Sequence, residues 1–181
     1  MSNVAPRGVP ALPWLSAFPE LNVRTYVSIG GKPGVYFFSL DATNAVAVRV
    51  ARALFHLPYH TAEMAVDEHA GDIRYTSRRT WSGAAPAQLE AQYGPIDPPH
   101  PPQRGTLEDF LTERYCLYTL DRRGRTCILE IHHPPWPLQN ARAAFRVNTM
   151  AEAIDVRLPD VPPLLHFSRR QDMVGWPLRR L

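Results

Sequence analysis

Hydrophobic and polar residues alternate in the segment ELNVRTYVSI, residues 20–29. One side of the alternation carries Leu21, Val23, Thr25 and Val27, and the other side carries the polar or aromatic residues Glu20, Asn22, Arg24 and Tyr26. A period of two is typical of a strand with one buried face. The turn sequence GGKPG follows, and the continuous apolar run VYFFSL then predicts a second strand that is covered on both faces.

Two helices are predicted from apolar runs that begin with capping residues. The first extends from Ala45 to Phe55, with N-cap candidates at residues 41–44 and Pro58 beyond its end. Its apolar residues lie on most sides, so we expect it to be largely buried. The second is the short segment TLEDFLTERY, in which Thr106 is the N-cap and Asp109 follows three residues later.

Two hairpins are predicted in the rest of the chain. TAEMAV and IRYTSRRT flank the turn DEHAGD, and YCLYTL and TCILEIHH flank DRRGR. For the second hairpin, a two-residue turn at Arg123 and Gly124 would pair Arg122 with Arg125. One face would then hold Cys116, Tyr118, Leu120, Cys127, Leu129 and Ile131. The opposite face, with Tyr115, Leu117, Thr119, Ile128, Glu130 and His132, would be either solvated or the lining of a cavity.

Strands dominate these predictions, and a late strand, LLHFSR, adds one more. The nineteen prolines favour short elements with many connections, and the proline-rich stretch 94–105 predicts a loop. The fold class expected is α+β, mainly antiparallel β. A chain of 181 residues suits one domain, residues 18–181, preceded by an N-terminal extension, residues 1–17.

Composition narrows the classes of function. With 45% hydrophobic and 20% charged residues, and no long apolar window, the sequence indicates a soluble, cytoplasmic protein without a membrane span or signal peptide. The pI of about 9.1 comes from arginine, because Lys32 is the only lysine. The basic clusters are short and scattered without interleaved aromatics, which argues against nucleic acid as a partner.

The stretch LPYH places two candidate acid–base groups, Tyr59 and His60, directly after Pro58. A histidine titrates near neutral pH, and a phenol can donate a hydrogen bond to an oxyanion. The alternative is structural: Tyr59 packs its ring after the helix, and His60 caps backbone carbonyls. His56 and His60 have the spacing of a metal pair, but Pro58 breaks the helix between them, so no metal site is expected.

Several longer blocks resemble one known family: ELNVRTYV, GKPGVYFFSLDA, LPYHTAEM, LEDFLTERYCLY and HHPPWPLQ. They are similar to the YqjF-like family, an uncharacterised group in the acetoacetate decarboxylase-like superfamily. The resemblance covers Phe18 to about Trp176. It implies a mainly antiparallel β barrel or cone with a few inserted helices and a central cavity.

The resemblance also shows where the chemistry departs from that of the decarboxylases. Those enzymes use a lysine directly after a proline to form a Schiff base, and a second lysine follows it. Here Tyr59 and His60 occupy the matching positions after Pro58, and neither side chain forms a stable imine. Glu20 matches the acidic pocket residue, whereas the substrate-holding arginine of the decarboxylases has no match. Schiff-base decarboxylation is therefore not expected.

The function expected is a central pocket for a small carboxylate or keto metabolite, with no cofactor. Glu20, Tyr59 and His60 would handle protons, and Arg24 or Arg114 would hold the anion, unless Arg24 only pairs with Glu20. Tyr115 and His132 would line the site if the mixed hairpin face encloses it. The alternatives are a non-catalytic ligand-binding domain and a protein-interaction module. The sequence leaves both catalysis and homo-oligomerisation open.

Overall fold

The structure is a computed structural model that describes residues 18–181. The predicted N-terminal extension, residues 1–17, lies outside the described residues. Strands make up most of the regular structure, together with two α-helices and a 3₁₀ turn at Glu152–Ile154. The elements are β1 Glu20–Ile29, β2 Lys32–Ala42, α1 Ala45–Leu54, β3 Tyr59–His69, β4 Asp72–Arg79, β5 Gln88–Pro95, α2 Leu107–Thr112, β6 Cys116–Leu120, β7 Thr126–His132, β8 Gln139–Asn148, β9 His166–Phe167, β10 Val174–Gly175 and β11 Arg179–Arg180.

All eleven strands join one sheet in the order β10-β7-β6-β2-β3-β4-β5-β8-β9, with β1 added to β2 and β11 added to β7. Most neighbours are antiparallel, but β2 runs parallel to both β3 and β6. The mainly antiparallel β prediction is confirmed. Within the described residues the terminal strands β9 and β10 do not pair with each other, so the sheet is mixed and open and differs from the closed barrel that was one expected form.

Helix α1 connects the parallel strands β2 and β3 and begins at the predicted capping segment. The side chain of Asn44 accepts hydrogen bonds from the backbone N–H groups of Val46 and Ala47. Val48 is buried in a core cluster with Leu40 and Tyr59.

The prediction that this helix is largely buried is wrong. Val48 is its one buried residue, while Val46, Val50 and Leu54 are exposed. The physical reason is that α1 covers the sheet with a single stripe. Its apolar residues on the remaining sides therefore face outward.

The first predicted hairpin is confirmed, with β3 and β4 paired up to His69 and Asp72 across the turn.

In β2, Val35, Leu40 and Asp41 are buried, as expected for a strand covered on both faces, but Phe38 is exposed. Phe38 lies at a register shift, since Val23 pairs with Ser39 whereas Arg24 pairs with Phe37.

The register predicted for the β6–β7 hairpin is wrong by one residue. Asp121 pairs with Arg125 around a three-residue turn, so Thr119 lies opposite Cys127 and Tyr118 opposite Ile128. The Asp121 carboxylate accepts hydrogen bonds from the backbone N–H groups of Arg123 and Arg125, and these bonds fix the longer turn. Because side chains alternate, this shift exchanges the two faces of β7 relative to β6.

Cys116 and Cys127 are both buried free thiols. In the observed register Cys116 pairs with Glu130 and Cys127 with Thr119, so the thiols lie on opposite faces of the hairpin.

No helix among residues 18–181 is long and apolar enough to cross a membrane.

Candidate functional site

The candidate site lies where β1, β2 and β3 come together at one end of the sheet. Glu20 begins β1 and pairs with Ala42, and Tyr59 begins β3 and pairs with Leu40. Ala42 and Leu40 are two residues apart on β2 and therefore share a face. This pairing brings together two side chains that are 39 residues apart, and the Tyr59 hydroxyl donates a hydrogen bond of 2.5 Å to Glu20 Oε2.

The surroundings of this pair disfavour charge on either group. Burial raises the pKa of the Glu20 carboxyl, although the hydrogen bond from Tyr59 lowers it in part. Burial also raises the pKa of the Tyr59 phenol, and the neighbouring Glu20 carboxylate raises it further. The phenol therefore stays protonated at neutral pH and acts as a hydrogen-bond donor.

His60 does not join this pair, because successive residues of a strand point to opposite faces. It lies beside Asp41 in the β2–β3 register. Asp41 in turn binds Arg79 through two parallel hydrogen bonds, Nε to Oδ1 at 2.7 Å and Nη2 to Oδ2 at 2.8 Å. Both side chains are buried, with exposures of 2% for Arg79 and 1% for Asp41.

The imidazole of His60 is held in its neutral form. Burial, with added repulsion from Arg79, lowers its pKa to about 4. Its ring centroid lies 6.4 Å from that of Trp81. Within the described residues, the buried Nδ1 atom has no hydrogen-bond partner. A buried polar atom in this state is a place where a ligand or water would be stabilised.

Arg52 is a site residue that the sequence reasoning missed. Its Nη1 donates a hydrogen bond of 2.7 Å to the carbonyl oxygen of Tyr59, and its guanidinium lies 4.8 Å from the Trp81 ring centroid. The available signal was a basic residue in the last turn of a helix that ends shortly before Pro58. Asp41 and Arg79 were missed as well.

The two arginines predicted to hold an anion lie elsewhere, around Tyr26. The guanidinium carbons of Arg24 and Arg114 are each 5.8 Å from the Tyr26 ring centroid. Arg24 is exposed, and no ion pair joins it to Glu20 in the described part of the chain. The Nε atom of Arg114 is buried, and no partner for it lies within residues 18–181.

Tyr115 and His132 form a separate stack at the start of the β6–β7 hairpin. Their ring centroids are 6.2 Å apart, and the Tyr115 hydroxyl donates a hydrogen bond to Glu113. Both side chains are exposed. The structure thus divides the seven predicted residues into the Glu20–Tyr59 pair, His60 on the opposite face, two arginines near Tyr26, and this exposed stack.

A depression of about 400 Å³ lies on the outward face of β3, β4, β5 and β8. Alternate residues of these strands supply its polar lining, including Glu63, Arg78 and Glu90. Its lining includes none of Glu20, Tyr59 and His60. The described depression and the candidate acid–base pair are therefore different places on the molecule.

Comparison with solved structures defines the class of fold. One acetoacetate decarboxylase matches with a TM-score of 0.60 and 15% identity, over 92% of this chain and 69% of that chain. The acetoacetate decarboxylase of Legionella pneumophila matches with a TM-score of 0.56 and 10% identity, over 92% of this chain and 67% of that chain. The protein has an acetoacetate decarboxylase-like fold, and at these identities the likeness shows the fold alone.

Sequence comparison defines the family. Residues 1–172 match the family DUF2071, described as an uncharacterized conserved protein. The uncharacterized protein YqjF of Bacillus subtilis (strain 168) is 46% identical over 180 residues, which span 99% of this chain and 73% of YqjF. The chain belongs to the DUF2071 family, and the resemblance to YqjF-like proteins is confirmed.

Proposed function

We propose that the protein binds a small keto acid at the junction of β1, β2 and β3, with Tyr59 and Glu20 hydrogen-bonded to its carbonyl oxygen. The observation that carries this proposal is the 2.5 Å hydrogen bond between the two side chains in partly buried surroundings. Hydrogen-bonded acids in partly buried surroundings are suited to stabilise a developing oxyanion. Such a site serves both binding and proton transfer to a bound ligand.

The electrostatics of the pair support donation of a hydrogen bond to the ligand. Burial raises the pKa of Glu20 and of Tyr59, so each group holds its proton to a higher pH than it would in water. A hydrogen bond from this pair stabilises negative charge that develops on a carbonyl oxygen more than it stabilises the neutral ketone. The ligand chemistry that fits is therefore a carbonyl oxygen that accepts a hydrogen bond from the pair.

An amine does not take part in this proposal. Lys32 is the only lysine of the chain, and it forms an ion pair with Glu130 at the start of β2. Tyr59, at the position that the resemblance assigns to the Schiff-base lysine, offers a phenol. Treatment with acetoacetate and borohydride is expected to leave the intact mass unchanged, and a stable adduct on Lys32 would contradict this.

Arg52 contacts the backbone of Tyr59, and it is the arginine proposed to attract the ligand's carboxylate. Its guanidinium reaches the backbone at Tyr59 with one N–H group, and Trp81 stacks against its plane. Arg79 is less suited, because Asp41 already binds it through two parallel hydrogen bonds. Arginine's fork of donors can bind a carboxylate while it keeps one bond to the protein.

The test is thermal melting in the presence of small acids and their uncharged analogues. Acetoacetate and 2-oxobutanoate would be compared with the corresponding amides on wild type, Tyr59→Phe and Arg52→Gln. A ligand at one hundred times its dissociation constant adds about 2.7 kcal/mol to the free energy of unfolding, which corresponds to roughly 5–10 °C in Tm. We expect the acids to raise Tm of wild type and both variants to lose much of the shift.

Arg49→Gln is the matched control. Arg49 is exposed on the same helix, and its substitution removes the same charge as Arg52→Gln does. The control should respond as wild type does. Equal shifts from acids and amides would contradict the carboxylate contact. An undiminished response in a folded Tyr59→Phe protein would show that the acid binds elsewhere, with Arg24 and Arg114 near Tyr26 as the next region to test.

A further inference from the structure

A second concave surface, of about 270 Å³, lies at the turn between β6 and β7. We call it the arginine pocket, and it is lined by His56, Asp121, Arg122, Arg123, Arg125 and Arg180. Neither Glu20 nor Tyr59 lines it. Four of its six lining residues are arginines, so its chemistry differs from that of the buried acid pair.

The shape of the pocket follows from the three-residue turn. Asp121 Oδ1 accepts hydrogen bonds from the N–H groups of Arg123 at 2.8 Å and Arg125 at 3.0 Å. Gly124 completes the turn with φ of 73°, a conformation that other residues adopt at a cost. The backbone of Arg123 is thereby held at the tip of the hairpin, and the side chains of Arg122 and Arg123 are exposed.

The pocket carries an excess of positive charge that the protein does not neutralise. Its single carboxylate, Asp121, forms ion pairs with Arg125 at 2.8 Å and with Arg180 at 3.5 Å. The hydrogen bonds from Arg125 hold the pKa of the Asp121 carboxyl below its usual range. Among residues 18–181, neither Arg122 nor Arg123 has an ion-pair partner. Two guanidinium groups therefore remain for an external anion.

The other walls are also anchored to the sheet. Arg180 lies on β11, which pairs with β7 so that Arg180 is opposite Cys127. His56 lies between α1 and β3 in a left-handed conformation with φ of 53°, and the Thr119 hydroxyl donates to its carbonyl oxygen at 2.7 Å. Three separate segments of the chain are thus joined around one depression.

We propose that the arginine pocket binds the phosphate group of a small phosphomonoester, with Arg122 and Arg123 as its principal donors. Guanidinium groups match the geometry of phosphate oxygens and form charge-assisted hydrogen bonds with them. The pocket volume suits a phosphate with a small organic group. Two unpaired guanidiniums at one depression, beside two that Asp121 pairs, favour a compact dianion over a nucleic-acid strand, which needs cations along a track. This inference is independent of the proposed keto-acid site.

The test is calorimetric titration of the full chain with inorganic phosphate and with phenyl phosphate at constant ionic strength. Phenyl sulfate, which carries one negative charge, is the comparison ligand. We expect one phosphate or phenyl phosphate per chain and weaker binding of phenyl sulfate. In the double variant Arg122→Gln/Arg123→Gln, affinity for phenyl phosphate should fall roughly tenfold or more.

The control is Arg49→Gln/Arg104→Gln, which removes the same charge from two exposed positions outside the pocket. It should keep wild-type affinity, and amide chemical-shift changes caused by phenyl phosphate should centre on residues 121–125. An equal loss in the control, or stoichiometry well above one, would reduce the effect to general attraction and overturn the site. Tighter binding of a short oligonucleotide that both double variants weaken equally would overturn it too.

Discussion

Two regions of the same sheet use the same kind of ion pair in opposite surroundings. On the outward face of β3 and β4, Arg78 binds Glu63 with exposures of 56% and 69%. On the inward face, the next residue, Arg79, binds Asp41 with exposures of 2% and 1%. Neighbouring arginines therefore experience water on one side and the protein interior on the other.

This difference shows that burial decides how much the structure depends on a pair. An exposed pair gains little from Coulomb attraction, because water solvates each partner almost as well. In a buried pair, each ion has lost its water, so removal of one partner leaves the other without solvation. Changes on the inward face should therefore alter stability far more than matched changes on the outward face.

The largest effect is expected from Arg79→Gln. The substitution leaves the buried Asp41 carboxylate without its two parallel hydrogen bonds and also removes the bond from Arg79 Nη1 to the Ala85 carbonyl. Breaking a buried pair in this way should lower the free energy of unfolding by about 3–5 kcal/mol. Urea unfolding at pH 7 measures this. A loss below about 1 kcal/mol would mean that water reaches Asp41.

The second prediction concerns pH and His60. Burial lowers the pKa of its imidazole to about 4, below the ordinary value of 6.5, so the unfolded state binds a proton more readily than the folded state between these values. The contribution of His60 is therefore complete above pH 6.5 and is lost as pH falls toward 4. Because the side chain is half-buried, the expected loss is about 1–3 kcal/mol after allowance for screening.

The measurement is urea unfolding of wild type and His60→Asn at several pH values from 4 to 7. The difference between the two proteins should shrink or reverse as pH falls. Glu20→Gln supplies a contrast of opposite sign, because a raised pKa stabilises the fold below about 4.5 and this stabilisation is lost as pH rises. Parallel pH profiles for wild type and His60→Asn would show that His60 titrates as it does in the unfolded chain.

The third prediction is a smaller effect from Tyr59→Phe. This change keeps the ring in the core with Leu40 and Val48 and removes only the hydrogen bond to Glu20. Loss of one partner of this partly buried hydrogen bond should cost about 1–2 kcal/mol. The pKa of Glu20 should also rise further, because the Tyr59 hydroxyl lowers it, and carboxyl NMR titration reports this directly.

Tyr36→Phe is the control for that substitution, since Tyr36 also lies on the sheet and packs its ring against Phe38. Its unfolding free energy should change by less than about 0.5 kcal/mol. Equal losses in the two variants would mean that the Tyr59 hydroxyl contributes no more to the free energy of unfolding than the Tyr36 hydroxyl does. The hydrogen bond between Tyr59 and Glu20 would then no longer support the proposed site.

The contrast between the two faces also explains which features the sequence could predict. Local signals were sufficient for β1, for the β3–β4 hairpin and for the Asn44 and Thr106 caps, because alternation and capping act over a few residues. Strands β5 and β8 were missed. They contain Ala, Gln and Arg, which favour helices, and pairing with each other and with β4 overrides that preference.

The candidate site was predictable only in part, because contacts between distant parts of the chain leave no local signal in the sequence. Resemblance to a family directed attention to Glu20 and Tyr59, and the structure brings them into contact. The Asp41–Arg79 pair joins residues 38 apart on nonadjacent strands and has no local signature. The register of the β6–β7 hairpin depended on one side chain, Asp121, whose hydrogen bonds select a three-residue turn.

The smallest effect is expected from Arg78→Gln, the outward counterpart of Arg79→Gln. Its hydrogen bond to Glu63 spans 2.5 Å, yet both side chains are largely exposed. The free energy of unfolding should fall by less than about 1 kcal/mol, and this loss should disappear in 0.5–1 M salt, where exposed charges are screened at about 3–4 Å. A double-mutant cycle with Glu63→Gln isolates the coupling between the two side chains. A coupling free energy as large as the loss of stability caused by Arg79→Gln would contradict the comparison. It would mean that the exposed pair depends on its partner as strongly as the buried pair does.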